Sequence, residues 1–184
     1  CTEDSQPRPF EELLDLLEHA ATVSTPVDTM DPLFTSQADY EAFSARHQAM
    51  AVPTVDLATY TGPAYLGIDA GSTTTKMVLI DPDCNLLYSF YHSNQGNPVS
   101  IVLPQLREIY AQCGGRVTIQ GAAVTGYGED LIKNAFSCDL GLVETVAHLN
   151  AARHFTPDVD FIIDIGGQDM KCFKIRNGAV DSIL

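Results

Sequence analysis

The chain has 184 residues, enough for one good core or for one domain with attachments, and its 45% hydrophobic content and mean hydropathy of +0.02 describe a soluble globular protein. A net charge of -14 works against non-specific binding to nucleic acid or to an anionic membrane surface, because both need clustered Lys and Arg, so any phosphate ligand must be met by local donors and a cation. No apolar run approaches the roughly 18 residues of a membrane span, and the scattered, odd-numbered cysteines (Cys1, Cys84, Cys113, Cys138, Cys172) include no CxxC pair, which points away from a disulfide scaffold or zinc knuckle and toward a reducing cytoplasm.

Residues 1–60 read as a helical N-terminal extension. PFEELLDLLEHAATV places Phe10, Leu13, Leu14, Leu17 and Ala21 on one helical face with acids opposite, started by Pro9. SQADYEAFSARHQAM reads as a second helix in which Ser36 and Asp39 approximate a capping box, and the Pro-punctuated TPVDTMDPLF joins the two.

From Tyr65 the pattern changes to short β-runs. YLGID, KMVLID and LLYSFYH, separated by GSTT and PDCN, predict a three-stranded antiparallel meander. Asn97 and Pro98 open a helix that Pro104 is expected to delay or kink and that Gly114 and Gly115 close. IQGAAVT reads as a buried strand, GEDLIKNAF and VETVAHLNAARHF as helices, and FIIDIG, MKCFKI and AVDSIL as a second meander turning at Asn177-Gly178. The order is β-β-β-α-β-α-α followed by β-β-β, an α/β arrangement with a mixed sheet flanked by helices over 61–157 and the opening of a second copy over 158–184. The start at Cys1 and the stop at Leu184 inside an apolar strand pattern suggest a piece of a longer protein.

The two meanders share one register. Asp69 aligns with Asp164, Gly71 with Gly166 and Lys76 with Lys171, each 95 residues apart (164 minus 69, 166 minus 71, 171 minus 76). In such a turn glycine lets backbone approach a ligand and take positive φ, aiming N–H groups into an anion-binding concavity. Ser72, Thr73 and Thr74 add hydroxyls, Lys76 brings charge to phosphate oxygens, and Asp69 is suited to hold Mg²⁺ through water or to orient an attacking water. Two such turns facing each other would clamp a nucleoside triphosphate tail from both sides.

Other signatures are weaker. The Walker pattern is absent, and TGYGEDLI carries only two of the three Rossmann glycines, with Gly126 and Gly128 read as a tight turn beside the cleft. Glu144 and His148 fall four apart on one helix, but no third metal ligand is evident in the sequence, and a helix-start acid beside a packed histidine is the preferred reading.

DAGSTTTK and DIGGQDMK resemble the two phosphate motifs of the acetate and sugar kinase, heat-shock 70 and actin superfamily. Together with VTGYGEDLIKNAF and VETVAHLNAARHF, residues 63–184 resemble the ATPase activators of (R)-2-hydroxyacyl-CoA dehydratases and benzoyl-CoA reductases. The resemblance implies a ribonuclease H-like, actin-like ATPase domain binding ATP/ADP and Mg²⁺. Gly71, Ser72, Thr73, Thr74, Thr75, Lys76 and Gly126 would line the phosphates on one side and Gly166, Gly167, Gln168, Asp169 and Lys171 on the other, with Asp69 and Asp164 as the catalytic carboxylates and Asp69 on the metal. It further implies a homodimer holding one [4Fe-4S] cluster and passing a low-potential electron to a dehydratase-type partner. The family's cluster cysteines lie beyond the second meander, so no cluster ligand is expected in this chain; Cys172 reads as core. A small-molecule kinase and a nucleotide-controlled assembly module are the rival readings.

Overall fold

The computed structural model describes residues 8–22, 30–166 and 169–184. The Ala21 side chain, positions 25–29 of the expected linker, Cys1, Gly167 and Gln168 therefore lie outside the described residues. The chain divides into two units, Cys1–Met50 and Ala51–Leu184.

The first unit contains α1 (Phe10–Thr22) and α2 (Gln37–Gln48). Leu13 N–H donates to Pro9 O, which sets the start of α1 at the expected proline. Phe10, Leu13, Leu14 and Leu17 form the apolar stripe and all are exposed. In α2 the Ser36 hydroxyl caps Asp39 N–H at 3.2 Å. The reciprocal half of the expected capping box is replaced: the Asp39 carboxylate accepts from the Thr35 N–H and hydroxyl, the latter at 2.6 Å, because Asp is one methylene too short to return to the cap N–H. The Phe34 ring meets Tyr40 and Phe43 edge-on.

The second unit carries β1 (Gly62–Ala70), β2 (Thr74–Ile80), β3 (Leu86–Ser93), α3 (Pro98–Cys113), β4 (Val117–Thr125), α4 (Glu129–Phe136), β5 (Leu140–Leu142), α5 (Glu144–Phe155), β6 (Phe161–Ile165), β7 (Met170–Arg176) and β8 (Ala179–Ile183). Five strands order β3-β2-β1-β4-β5, with the meander antiparallel and β4 and β5 parallel additions, so the sheet is mixed. The short β5 is an element the sequence reading lacked. Helix α3 runs through Pro104 without ending, with Asn97 capping Ser100 N–H and Gly114 in the left-handed conformation at its close. Burial of Val102, Ile109 and Cys113 keeps α3 on the sheet despite the lost N–H.

Period-2 alternation decides which face each side chain takes. Ala64, Leu66, Ile68 and Ala70 on β1, with Thr75, Met77 and Leu79 on β2, are buried in the core they share with Val102 and Ile109 of α3 and Ile132 of α4. Asp69, Lys76 and Val78 occupy the opposite face. Residues 51–60 join this unit through Leu57, which is buried in the same core.

The second sheet, β6-β7-β8, repeats the first meander in detail. Asp69 stands across from Lys76 and Asp164 across from Lys171. The register slips between Leu79 and Ile80 and again between Lys174 and Ile175, positions that also lie 95 apart (174 minus 79). Burial is reversed, however. Phe173 and Ile175 are buried with Leu149 of α5 on the Asp/Lys face, while Phe161, Ile163, Ile165 and Met170, counterparts of the first sheet's core positions, are exposed. Helix α5 thereby comes to lie against the face of the second meander that bears Asp164 and Lys171.

Candidate functional site

The first turn is built by a strand pair that must reverse in three residues. Gly71 N–H donates to Thr74 O at 2.9 Å, and a Cβ on Gly71 would stand 3.1 Å from that same oxygen. The second turn has the same closure: Gly166 N–H donates to Asp169 O at 2.9 Å, with a Cβ 3.2 Å from it. Neither glycine takes positive φ, which corrects the expected reason for their presence; close backbone approach across the turn is the reason. Among the described residues the N–H and hydroxyl groups of Ser72 and Thr73 and the Thr74 hydroxyl make no hydrogen bond, leaving donors at the tip.

The tip is held from behind by Asn94, buried and absent from the sequence reading. Its Nδ2 donates to Gly71 O at 2.7 Å, its backbone N–H to Thr73 O at 2.9 Å, and its Oδ1 accepts from Gly96 N–H. Asn in the SNQGN run between a strand and a Pro-started helix was the available signal, since Asn side chains bond nearby backbone in turns. Asp69 Oδ2 accepts from Lys76 Nζ at 2.8 Å. Among the described residues its Oδ1 is buried without a partner, on the side of Gly126.

The second turn departs from this plan. Lys171 does not bond Asp164; it reaches Asp169 at 2.9 Å and Glu144, the first residue of α5, at 3.3 Å. These bonds, to Asp169 first and then Glu144, hold its pKa above the ordinary lysine value. Asp164 Oδ2 instead lies 3.2 Å from His148 Nδ1, one turn further along α5. Glu144, His148 and Asp164 thus offer ligand atoms within 4.8 Å of one another, which supplies the third partner that the sequence reading lacked.

Both turns open onto one groove of about 800 Å³. Asp69, Gly71, Ser72, Thr73, Thr74 and Lys76 line it from the first meander, and Gly166, Asp169 and Lys171 from the second. Gly126 lines it as well, as do Tyr127, Glu129, Val143 and Glu144, four residues that sequence reasoning had not placed there. Thr75 does not line the groove: alternation on β2 turns it into the core, where its hydroxyl is buried and unbonded. Asp164 is also absent from the lining. Gly167 and Gln168 lie outside the described residues. The groove sets two lysines, Lys76 and Lys171, against four carboxylates, Asp69, Glu129, Glu144 and Asp169, a local excess of negative charge.

The sequence pattern of the BadF/BadG/BcrA/BcrD ATPase family matches residues 66–184. An uncharacterized protein of Methanocaldococcus jannaschii is 38% identical over 121 residues, covering 65% of this chain and 47% of that protein. The 2-hydroxyisocaproyl-CoA dehydratase activator of Clostridioides difficile is 32% identical, covering 61% of this chain and 41% of its own length. Among solved structures, the activator of the 2-hydroxyisocaproyl-CoA dehydratase from Clostridium difficile with bound ADPNP superposes with a TM-score of 0.53 at 30% identity, over 66% of this chain and 44% of that one. Component A of the Acidaminococcus fermentans (R)-2-hydroxyglutaryl-CoA dehydratase gives a TM-score of 0.54 at 25% identity, over 65% and 46%. The chain spans less than half the length of these relatives. Among the described residues no helix is long and apolar enough to cross a membrane.

Proposed function

The chain belongs to the BadF/BadG/BcrA/BcrD ATPase family, with an actin-like fold, and from that premise we propose that it forms the nucleotide-binding part of a cytoplasmic ATPase that activates a 2-hydroxyacyl-CoA dehydratase-type enzyme. One observation carries this reading: two turns of identical register, each closed by the same glycine hydrogen bond, line a single groove with unbonded donors.

The triphosphate of ATP lies between the turns in this reading. The groups around Gly71, Ser72, Thr73, Thr74 and Lys76 meet it from one side, and Gly166, Gly167, Gln168, Asp169 and Lys171 from the other. The carboxylate excess demands a divalent ion, and bound Mg²⁺ would supply the neutralising charge. Asp69, the carboxylate that the first meander contributes to the groove lining, is suited to reach that ion or its water. Thr75 and Asp164, outside the lining, receive no phosphate contact.

The finer reading, drawn from the resemblance, is that nucleotide turnover in a homodimer is coupled to low-potential electron delivery from a [4Fe-4S] cluster to the dehydratase. Cluster ligands are not assigned to this chain. Cys113 and Cys138 are buried, Cys84 is exposed in the β2–β3 turn and Cys172 sits on β7.

Calorimetric titration of the purified protein with Mg-ADPNP tests the reading. A saturable binding heat that weakens by about tenfold or more when Lys76 becomes Ala is expected, from loss of a charge-assisted phosphate contact. No binding heat in either protein would overturn it.

A further inference from the structure

Resting on the nucleotide reading above, we propose that Tyr91 of β3 is a positioning residue that holds the Lys76 ammonium at the groove. Lys76 stands on β2 directly across from Tyr91. Directly opposed residues of an antiparallel pair send their side chains to one face, with Cβ atoms about 5 Å apart. Lys76 Nζ accordingly lies over the Tyr91 ring, 5.9 Å from its centroid, while it bonds Asp69 Oδ2 at 2.8 Å. A cation within about 6 Å of a ring centroid is attracted by the negative face of the π-system.

Core packing does not account for this ring. In the β3 run LLYSFYHS, Tyr88 and Phe90 pack against the core, and the Tyr88 hydroxyl donates to Gln105 Oε1 at 2.6 Å. Tyr91 takes the other face, the one that carries Asp69, Lys76 and Val78, and is 68% exposed. Among the described residues its one ring contact is with the Lys76 ammonium.

The two anchors of Lys76 differ in kind. Asp69 carries a full charge, so its bond neutralises the ammonium, and it is also the carboxylate read as reaching the ion that accompanies the phosphates. A divalent ion and an ammonium compete for one carboxylate. The ring attracts the cation through its quadrupole and has no formal charge, so it leaves the charge of the ammonium available to an anion. With Tyr91 in place the lysine keeps a fixed contact beside the turn when the carboxylate is engaged elsewhere, and less side-chain freedom is lost on meeting a phosphate. The Lys76 side chain is 42% exposed, which puts the gain at the solvent-screened end for such contacts.

Two readouts on the purified protein test this. β3 is the edge strand and Tyr91 is exposed, so Tyr91→Leu and Tyr91→Phe leave the core untouched. The first readout needs no nucleotide: with isotope-labelled lysine, the Lys76 ε-methylene protons are expected upfield in the parent and in Tyr91→Phe, where a ring current acts on them, and to lose that shift in Tyr91→Leu. The second is calorimetric titration with Mg-ADPNP. Tyr91→Leu is expected to weaken binding about two- to fivefold, the range of an exposed cation–π contact, and Tyr91→Phe to bind as the parent does. In a Lys76→Met background Tyr91→Leu is expected to have no effect, which separates placement of the lysine from a general loosening of β3. Equal affinity of the parent and Tyr91→Leu, a loss that persists beside Lys76→Met, or Lys76 signals unmoved by Tyr91→Leu would each overturn the inference while the nucleotide reading stands. Absence of binding heat in the parent would instead overturn that reading, and the role of Tyr91 with it.

Discussion

A Cβ placed on Gly126 would stand 2.6 Å from Oδ1 of Asp69 and 2.8 Å from the carbonyl carbon and oxygen of Ala70. Gly126 also has a φ of +91°, a conformation that L side chains rarely adopt. The close approach and the backbone angle coincide at the end of β4, where Gly128 N–H donates to Ala70 O at 2.8 Å and fastens this loop to β1. Gly126→Ala must push the Asp69 carboxylate or the β1 backbone aside, and a cost of about 2–3 kcal/mol is expected in urea unfolding. Nucleotide affinity falls as well, because the displaced group is the one proposed to face the ion. A variant as stable as the parent would show that the loop relaxes freely and that Gly126 does not position Asp69.

Asp69 and Lys76 predict a different separation of effects. Their ion pair is partly exposed, with side-chain exposures of 29% and 42%, so either Asp69→Asn or Lys76→Ala is expected to cost under about 1 kcal/mol of stability. Both should nevertheless weaken Mg-nucleotide binding by about tenfold or more, since each removes a group proposed to meet the phosphates or their ion. Calorimetry and urea unfolding on the same preparations check this. Unchanged affinity in both variants would remove the first turn from the nucleotide site.

Lys171 makes a pH-dependent prediction. Its hydrogen bonds to Asp169 and Glu144 raise its pKa above the ordinary 10.5, so the charged form binds its proton more tightly in the folded chain than in the unfolded one. The stability it contributes is fully present below 10.5 and is lost as pH climbs through the raised value. The difference in unfolding free energy between the parent and Lys171→Met should therefore stay flat from neutral pH to about 10 and close above it. A difference that already disappears near neutrality would mean that these bonds do not hold the ammonium.

Much of this architecture was legible because two simple periodicities run through the chain. Alternation marked the six meander strands, and the 95-residue register aligned Asp, Gly and Lys before any contact was known. The same alternation, applied strictly to Thr74, Thr75 and Lys76, turns Thr75 toward the core; reading the hydroxyl run as one donor patch overlooked it. Strand β5 has three residues and exists only because β4 offers a parallel edge, so local pattern could not reveal it. Likewise Glu144 and His148 were visible as a helical pair, but their meeting with Asp164 depends on α5 packing through Leu149 onto Phe173, a tertiary relation with no local signature. The reversed burial of the second meander has the same origin, since helix α5 covers the Asp/Lys face there.

Asn94 offers the sharpest test of how the first turn is held. It is 1% exposed and joins three segments: Nδ2 bonds Gly71 O, the backbone N–H bonds Thr73 O, and Oδ1 takes Gly96 N–H. Removing the side chain in Asn94→Ala leaves the Gly71 carbonyl and the Gly96 N–H without these partners, at an expected cost of about 2–3 kcal/mol. Asn94→Asp is more discriminating, because it keeps an acceptor for Gly96 but sets a carboxylate oxygen against the Gly71 carbonyl. That repulsion acts on the turn itself, so the aspartate variant should lose nucleotide affinity at least as severely as the alanine variant, although it preserves volume and one hydrogen bond. Asn94 is not among the groove-lining residues, and any loss of affinity must therefore pass through the placement of Gly71 to Thr73. If both variants lose stability while Mg-ADPNP binds as before, the turn keeps its shape without Asn94, and its free donors are positioned by the β1–β2 ladder alone.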